Sequence, residues 1–360
     1  MYEGKEGVVN AAFNGMITNI DENMGRLRET LKELGIDKNT IVIFTTDNGT
    51  AAGYQSKSGK GFNAGMRGQK GSEYDGGHRV PFFIHWPEGG FSKGQDIDTL
   101  TAHLDILPTL AEVCGLDISG VEVDGQSIMP LLKGKADDWP DRHIITESQR
   151  ILHPEKWRKC QVMTQKWRLT NGEELYDIQK DPGQKTNVAD QHPEVVKQLR
   201  GSYETFWEDM GKRRDIVTSI VVGNDAENPS TLSSHDWFGD GARKGWNQGQ
   251  IQAAHPVNGH WNIDVDQAGD YKIELCRWPK DADGTITGPS VKYVEGGTEI
   301  KADQARLKVA GFDETKAVKA EDKAVSFEVK LEKGETTLQT WFLDGDKETR
   351  GAYFVYVTRL

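Results

Sequence analysis

Cysteine is scarce and scattered in this 360-residue chain. Cys114, Cys160 and Cys276 are far apart, odd in number and match no paired metal-ligand spacing, which argues against a disulfide framework and predicts buried free thiols. Long hydrophobic runs are also missing. No stretch approaches the eighteen or so consecutive apolar residues of a membrane helix, and Met1-Tyr-Glu-Gly-Lys-Glu6 lacks the basic start and apolar middle of a signal peptide. A soluble chain carrying no address of its own is the expectation. Positive charge is in deficit: 44 Lys and Arg against 56 Asp and Glu leave a net charge of -12, which speaks against a nucleic-acid partner. There is no internal repeat at a fixed period and no low-complexity segment, although Gly223 to Pro229 is polar enough for a linker.

What is present points to two domains, since the length allows two substantial cores. Phe13, Met16, Ile17, Ile20, Met24, Leu27, Leu31 and Leu34 recur at steps of three and four, one apolar face of a helix, and Gly35 stands where a left-handed terminator is wanted. Ile41-Val-Ile-Phe-Thr-Thr46 is apolar at consecutive positions and rich in β-branched residues, as expected of a parallel strand covered on both faces. A strand from Val80 to Trp86 and a helix around Leu104 to Val113 continue an α/β alternation. Leu152 to Tyr176 reads as a hairpin turning at Asn171-Gly172, and Pro193 to Met210 as a closing helix.

From about Arg214 the pattern changes. Trp261-Ile263-Val265, Tyr271-Ile273-Leu275, Ala305-Leu307-Val309, Val325 to Leu331 and Tyr353-Val355-Val357 alternate with a period of two, predicting an antiparallel β-sandwich. Trp237, Trp246, Trp261, Trp278 and Trp341 are dense there. Core packing accounts for them through buried area, and stacking on sugar rings is the other reading.

The stretch that carries chemistry is TTDNGTAAGYQSKSGKGFNAGMRGQKGSEYDGGHRVP, residues 45–81. Asp47 and Asn48 stand at the carboxyl end of a strand, the edge of an α/β sheet where ligands bind. Their adjacent side-chain oxygens suit a hard cation such as Ca²⁺ or Mg²⁺, and Asp-Asn-Gly is equally ordinary turn chemistry. Lys70 in Gly-Gln-Lys-Gly sits where bare backbone and an ammonium can approach an anion, or where a lysine is merely solvated. Arg79, between Gly-Gly-His and Val-Pro, is a candidate for the same pocket, with a structural carboxylate pairing as the alternative. His78 is not read as an acid; His103 and Asp105 precede a predicted helix, and Asp105 reads as its N-terminal cap at least as readily as a catalytic group.

Order and spacing then add what no single motif does. Ile41 to Gly49, Arg67-Gly-Gln-Lys-Gly-Ser-Glu-Tyr-Asp-Gly-Gly-His-Arg-Val-Pro81, Leu104-Asp-Ile-Leu-Pro-Thr-Leu110, Asp124 to Leu132 and Glu174-Leu-Tyr-Asp-Ile-Gln-Lys-Asp-Pro182 closely resemble the second half of the sulfatase catalytic domain, in the alkaline phosphatase superfamily. The resemblance spans roughly residues 5–212. It implies an α/β, alkaline phosphatase-like partial sheet over residues 1–213, while the change of pattern after it gives a linker over 214–234 and a β-sandwich over 235–360, the last a candidate carbohydrate-binding domain. It further implies a calcium-dependent hydrolase of sulfate esters, with sulfated polysaccharide among the candidate substrates. Asp47 and Asn48 correspond to two ligands of the family's calcium, and Lys70 to the lysine that binds the sulfate oxygens. The family's nucleophile is a formylglycine made from a Cys or Ser followed at fixed spacing by Pro and Arg. Cys114, Cys160 and Cys276 do not have that setting, so the nucleophile, an acidic metal-binding pair and a central histidine are expected in an N-terminal half outside this sequence, within a longer protein or a complementary chain. This chain alone is then expected to be inactive. Two other readings stand beside it: a phosphodiester or phosphonate hydrolase of the same superfamily, and a non-catalytic calcium- or sugar-binding remnant. Family expectation places the protein in the periplasm or outside the cell.

Overall fold

The computed structural model describes every residue except 137, 138, 150, 152, 215, 240–244, 246 and 290–296. It divides into two compact units, Met1–Arg214 and Asp215–Leu360.

The first unit opens with helix α1, Ala11–Glu33, whose Asn10 side chain accepts the Phe13 N–H at 3.0 Å and whose end is marked by Gly35 at φ 68°. Strand β1, Val42–Thr45, follows, then the short strands β2, Tyr54–Gln55, and β3, Lys60–Gly61, which pair as a hairpin. A one-turn helix α2, Asp75–His78, leads into β4, Phe82–His85. The expectation of a parallel β1 covered on both faces is corrected here. Strand β1 pairs antiparallel with β4, Val42 opposite His85 and Thr45 opposite Phe82, and all four of its residues are half-buried. A run of consecutive apolar residues does not carry the direction of the neighbouring strand. One face of the pair, with Ile43, Phe82 and Ile84, fronts an apolar cleft shared with Leu110 of helix α3, Ile106–Cys114, and Met129 of the one-turn helix α4, Met129–Leu132. On the opposite face Phe83 is exposed, and α1 has no buried residue although its apolar stripe is present.

Strands β5, Ile144–Glu147, β6, Cys160–Met163, β7, Trp167–Thr170, and β8, Glu174–Asp177, form an antiparallel meander in sequential order. Residue 152, where the expected hairpin began, lies outside the described residues. Asn171 and Gly172 turn β7 into β8 with φ of 52° and 72°, as the Asn-Gly signal requires. Helix α5, Pro193–Gly211, lays Leu199 and Tyr203 on the fully buried Cys160, Val162, Leu169 and Leu175, and Trp157 stacks on Tyr203 at 3.8 Å between ring centroids.

The second unit is a β-sandwich. Its strands are β9, Ile220–Val222, β10, Ser230–Ser233, β11, His260–Val265, β12, Gly269–Cys276, β13, Gln304–Val309, β14, Phe312–Ala317, β15, Val325–Leu331, β16, Gly334–Asp344, β17, Lys347–Arg350, and β18, Phe354–Arg359. One sheet runs β14-β13-β16-β11-β9 with β17 added to β16, and the other runs β10-β18-β12-β15. Every pairing is antiparallel except β9 with β11. The period-two residues read from the sequence are the inward set: Trp261, Ile263, Val265, Tyr271, Ile273, Leu275, Leu307, Phe327 and Val355 are buried in one continuous core. Trp237, Trp261, Trp278 and Trp341 are buried too, so the ring-stacking reading of these indoles is overturned; Trp246 lies outside the described residues. Cys160 and Cys276 are buried free thiols as expected, whereas Cys114, at the end of α3, is exposed. Among the described residues no helix is long and apolar enough to cross a membrane.

Candidate active site

Asp47 and Asn48 lie two and three residues past Thr45, the last residue of β1, and three backbone hydrogen bonds fold the chain around them. Gly49 N–H donates to the carbonyl of Gly77 at 2.9 Å, Lys70 N–H to that of Thr50 at 3.0 Å, and Gly76 N–H to that of Arg67 at 2.8 Å. The strand end, the glycine-rich loop and α2 therefore form one knot. Glycine is obligatory at its crossing. A Cβ on Gly49 would lie 1.9 Å from the Gly76 carbonyl oxygen, and one on Gly77 2.0 Å from that of Ser72, in both cases against backbone that cannot turn away.

The knot is anchored from below by charge. Asp75, at the first turn of α2, is fully buried and takes the Arg168 Nε–H at 3.1 Å, while its own N–H donates to Gln184 Oε1 at 2.8 Å. Burial lowers the Arg168 pKa and Asp75 raises it again, the net direction being down. The other oxygen of Asp75, Oδ2, has no hydrogen bond among the described residues, and the Arg79 guanidinium stands 3.9 Å from it. Arg79 is thus tied loosely to Asp75, with more than half of its side chain exposed. A second anchor joins Arg67, whose guanidinium lies 3.6 Å over the Tyr74 ring and donates to Tyr176 Oη at 2.9 Å; Tyr74 and Tyr176 both donate to Glu174 Oε2, at 2.6 and 2.7 Å. Burial raises the pKa of Glu174, and the two phenols and Arg67 outweigh it, so the carboxylate is held below its ordinary range.

His103 reaches the same strand end from another element. Its Nε2 lies 2.9 Å from the Thr46 carbonyl oxygen, beside Asp47. The turn that carries it, His103–Asp105, is held by Asp105, which is buried against Arg142 and accepts the amides of Ala102 and Gln126 at 2.8 and 3.0 Å. Asp105 thus stands at the N-cap position of α3, as expected, but its side chain closes the turn before that helix by accepting the Ala102 N–H and makes no bond to the amides of α3 itself. Burial raises its pKa, and Arg142 with the two amides brings it below the usual value. Its contribution to stability is accordingly full above the ordinary carboxylate range and lost as pH falls through the depressed value. His78 is set against the Glu73 carbonyl at 3.2 Å and burial pushes its pKa down, which keeps it neutral and unsuited to acid work.

At the top of this scaffold three groups are left uncommitted. Among the described residues no hydrogen bond or ion pair engages the Asp47 carboxylate, the Asn48 amide or the Lys70 ammonium, and Asp47 and Lys70 are exposed. Their chemistry fits the group the resemblance implies: two hard oxygens for a calcium ion on one side of the knot, a cation for anionic oxygens on the other. By themselves they do not make a closed metal site, and the described residues hold no group of three or more His, Cys, Asp or Glu side chains fit to bind a metal.

An α/β unit with acid, amide and lysine at one strand end is the class of architecture seen here, and comparison with known proteins places it. The family model described as Sulfatase matches residues 6–116, and that described as N-sulphoglucosamine sulphohydrolase, C-terminal, matches residues 69–208. The chain belongs to the sulfatase family of the alkaline phosphatase-like superfamily. It is 31% identical over 220 residues to an N-acetylgalactosamine-6-O-sulfatase of Bacteroides thetaiotaomicron, covering 55% of this chain and 42% of that protein. It is 30% identical over 218 residues to arylsulfatase A of Homo sapiens, covering 52% and 42%. The crystal structure of Ps i-CgsB in complex with k-i-k-neocarrahexaose aligns at a TM-score of 0.49 with 23% identity, over 57% of this chain and 44% of that one. The chain thus spans less than half the length of these relatives.

Proposed function

We propose that this chain carries the metal-binding and sulfate-binding part of a calcium-dependent sulfuric ester hydrolase of the formylglycine type, acting on sulfated glycans. The observation that supports it is the pairing of an uncommitted Asp47-Asn48 with an uncommitted Lys70 through the backbone hydrogen bond that Lys70 N–H donates to the Thr50 carbonyl, beside the one that Gly49 N–H donates to Gly77. Asp47 and Asn48 would ligate the ion, which when bound neutralises charge on the sulfate oxygens. Lys70 binds the same oxygens from the loop side, and the buried Asp75–Arg168 pair holds α2 and its glycines in register beneath them. Fixed positive charge aimed at developing negative charge is the main catalytic resource for such a reaction. Arg79, loosely paired, is a secondary contact to the substrate anion.

The nucleophile is assigned to a first half outside residues 1–360, in a longer protein or a complementary chain, and isolated residues 1–360 are inactive. That half would cover the exposed apolar stripe of α1 and the exposed Phe83 of β4, surfaces a soluble unit does not ordinarily leave open. A periplasmic or secreted location accords with this chemistry. Hydrolysis of a phosphate diester or phosphonate is the second reading, since the same charges would serve that anion.

The reading is tested first at the metal. Two ligand residues leave most of a calcium shell to water, so calorimetry on residues 1–360 should give a dissociation constant of roughly 1 mM, with binding lost in Asp47→Ala. Sub-micromolar affinity, or affinity indifferent to Asp47→Ala, would contradict the assignment.

A further inference from the structure

Beside Lys70 the first unit has a cavity of about 500 Å³ that the site as described does not use. Asn10, Tyr54, Ser56, Lys57, Ser58 and Gln69 line it. The volume is that of a small-molecule pocket, and Val9, Ala51, Ala52 and Gln55 complete a wall in which apolar surface stands beside amides, hydroxyls, one phenol ring and one ammonium. It abuts the candidate site on both sides: Ala51 on its wall is four residues from Asp47, and Gln69 is the neighbour of Lys70. The β2–β3 hairpin is fastened to the glycine loop here, Ser56 N–H donating to Gln69 Oε1 at 3.1 Å, so pocket and site share one piece of scaffold.

The charge around it is of one sign. Residues 48–72 contain Lys57, Lys60, Arg67 and Lys70 and no Asp or Glu, within a chain of net charge -12. Among the described residues no hydrogen bond or ion pair engages the ammonium of Lys57 or Lys60.

We infer that this cavity binds the saccharide on the leaving-group side of the ester, specifically a sugar that bears a second anionic group. Hydroxyls and amides match a ring with several hydroxyls, the half-buried Tyr54 offers a flat face to it, and Lys57 receives a carboxylate or further sulfate. The inference rests on the reading of Asp47, Asn48 and Lys70 as the sulfate-ester site.

The test is an NMR titration of residues 1–360 with a chondroitin 6-sulfate disaccharide, which has one sulfate and one carboxylate, alongside inorganic sulfate. Lys57→Ala should weaken the disaccharide roughly tenfold, the scale of one charge-assisted hydrogen bond, and leave inorganic sulfate within about twofold. Ala52→Trp, which fills the cavity, should abolish disaccharide binding and spare inorganic sulfate; should that variant not fold, Lys57→Ala alone decides. Lys70→Ala should weaken both ligands. Disaccharide binding unchanged by Lys57→Ala and Ala52→Trp but weakened by Lys70→Ala would overturn the pocket and leave the sulfate site standing. Inorganic sulfate binding indifferent to Lys70→Ala would remove the site reading, and the inference with it.

Discussion

Replacing Lys70 by alanine, in the enzyme completed by a nucleophile-bearing first half, is expected to lower kcat/KM for an aryl sulfate by about 10² or more. That is the scale of losing one preorganised contact to transition-state charge. The expectation follows from its setting. The ammonium is uncommitted and the Lys70 backbone is fixed to Thr50, three residues past Asp47, so the side chain begins from a rigid point beside Asp47 and Asn48. Asp47→Ala should do at least as much damage, because on the proposed function it removes one of the two side chains this chain would offer the calcium ion. Steady-state kinetics with 4-nitrophenyl sulfate measures both. A completed enzyme that tolerates Lys70→Ala would show that the lysine is only solvated.

The largest effect on stability is expected at Arg168. Removing it leaves Asp75 buried with a carboxylate whose remaining cation, Arg79, is 3.9 Å away and largely in solvent. Breaking a buried pair from one side costs about 3–5 kcal/mol, since an uncompensated charge stays behind. In a unit of this size that amounts to a fall of roughly 10 °C in the melting temperature of Arg168→Ala. Adding Asp75→Asn in the same chain should recover part of the loss by removing the charge. Because α2 carries the glycines that Gly49 leans on, the single variant should also weaken calcium binding. A loss under about 1 kcal/mol by chemical denaturation would mean that water or Arg79 replaces Arg168 without cost.

The parts of this structure that were legible in the sequence are those encoded locally. The α1 stripe and its Gly35 end, the Asn171-Gly172 turn, α5, and the alternation of β11, β12, β13, β15 and β18 each lie within a window that a single element spans. Strand β16, the longest at 11 residues, escaped because its first half, Gly-Glu-Thr-Thr, has no apolar member to mark the alternation. The direction of β1 was misread because consecutive apolar residues say nothing about the partner strand, which here runs antiparallel. At the site, Asp47, Asn48 and Lys70 could be singled out by residue type and glycine context. Their supports could not. Arg168 is 93 residues from Asp75, Glu174 is 100 from Tyr74, and His103 is 57 from the Thr46 carbonyl it meets. No local periodicity encodes such pairings.

The central claim is that residues 1–360 supply positive charge for sulfate ester hydrolysis and no attacking group. It is tested most directly by turnover of 4-nitrophenyl sulfate by the purified chain, alone and with a first half bearing the modified Cys or Ser. The account predicts no turnover by the chain alone, restored turnover in the completed enzyme, and a rate on the sulfate ester above that on bis(4-nitrophenyl) phosphate. Clear sulfatase turnover by residues 1–360 on their own would contradict it.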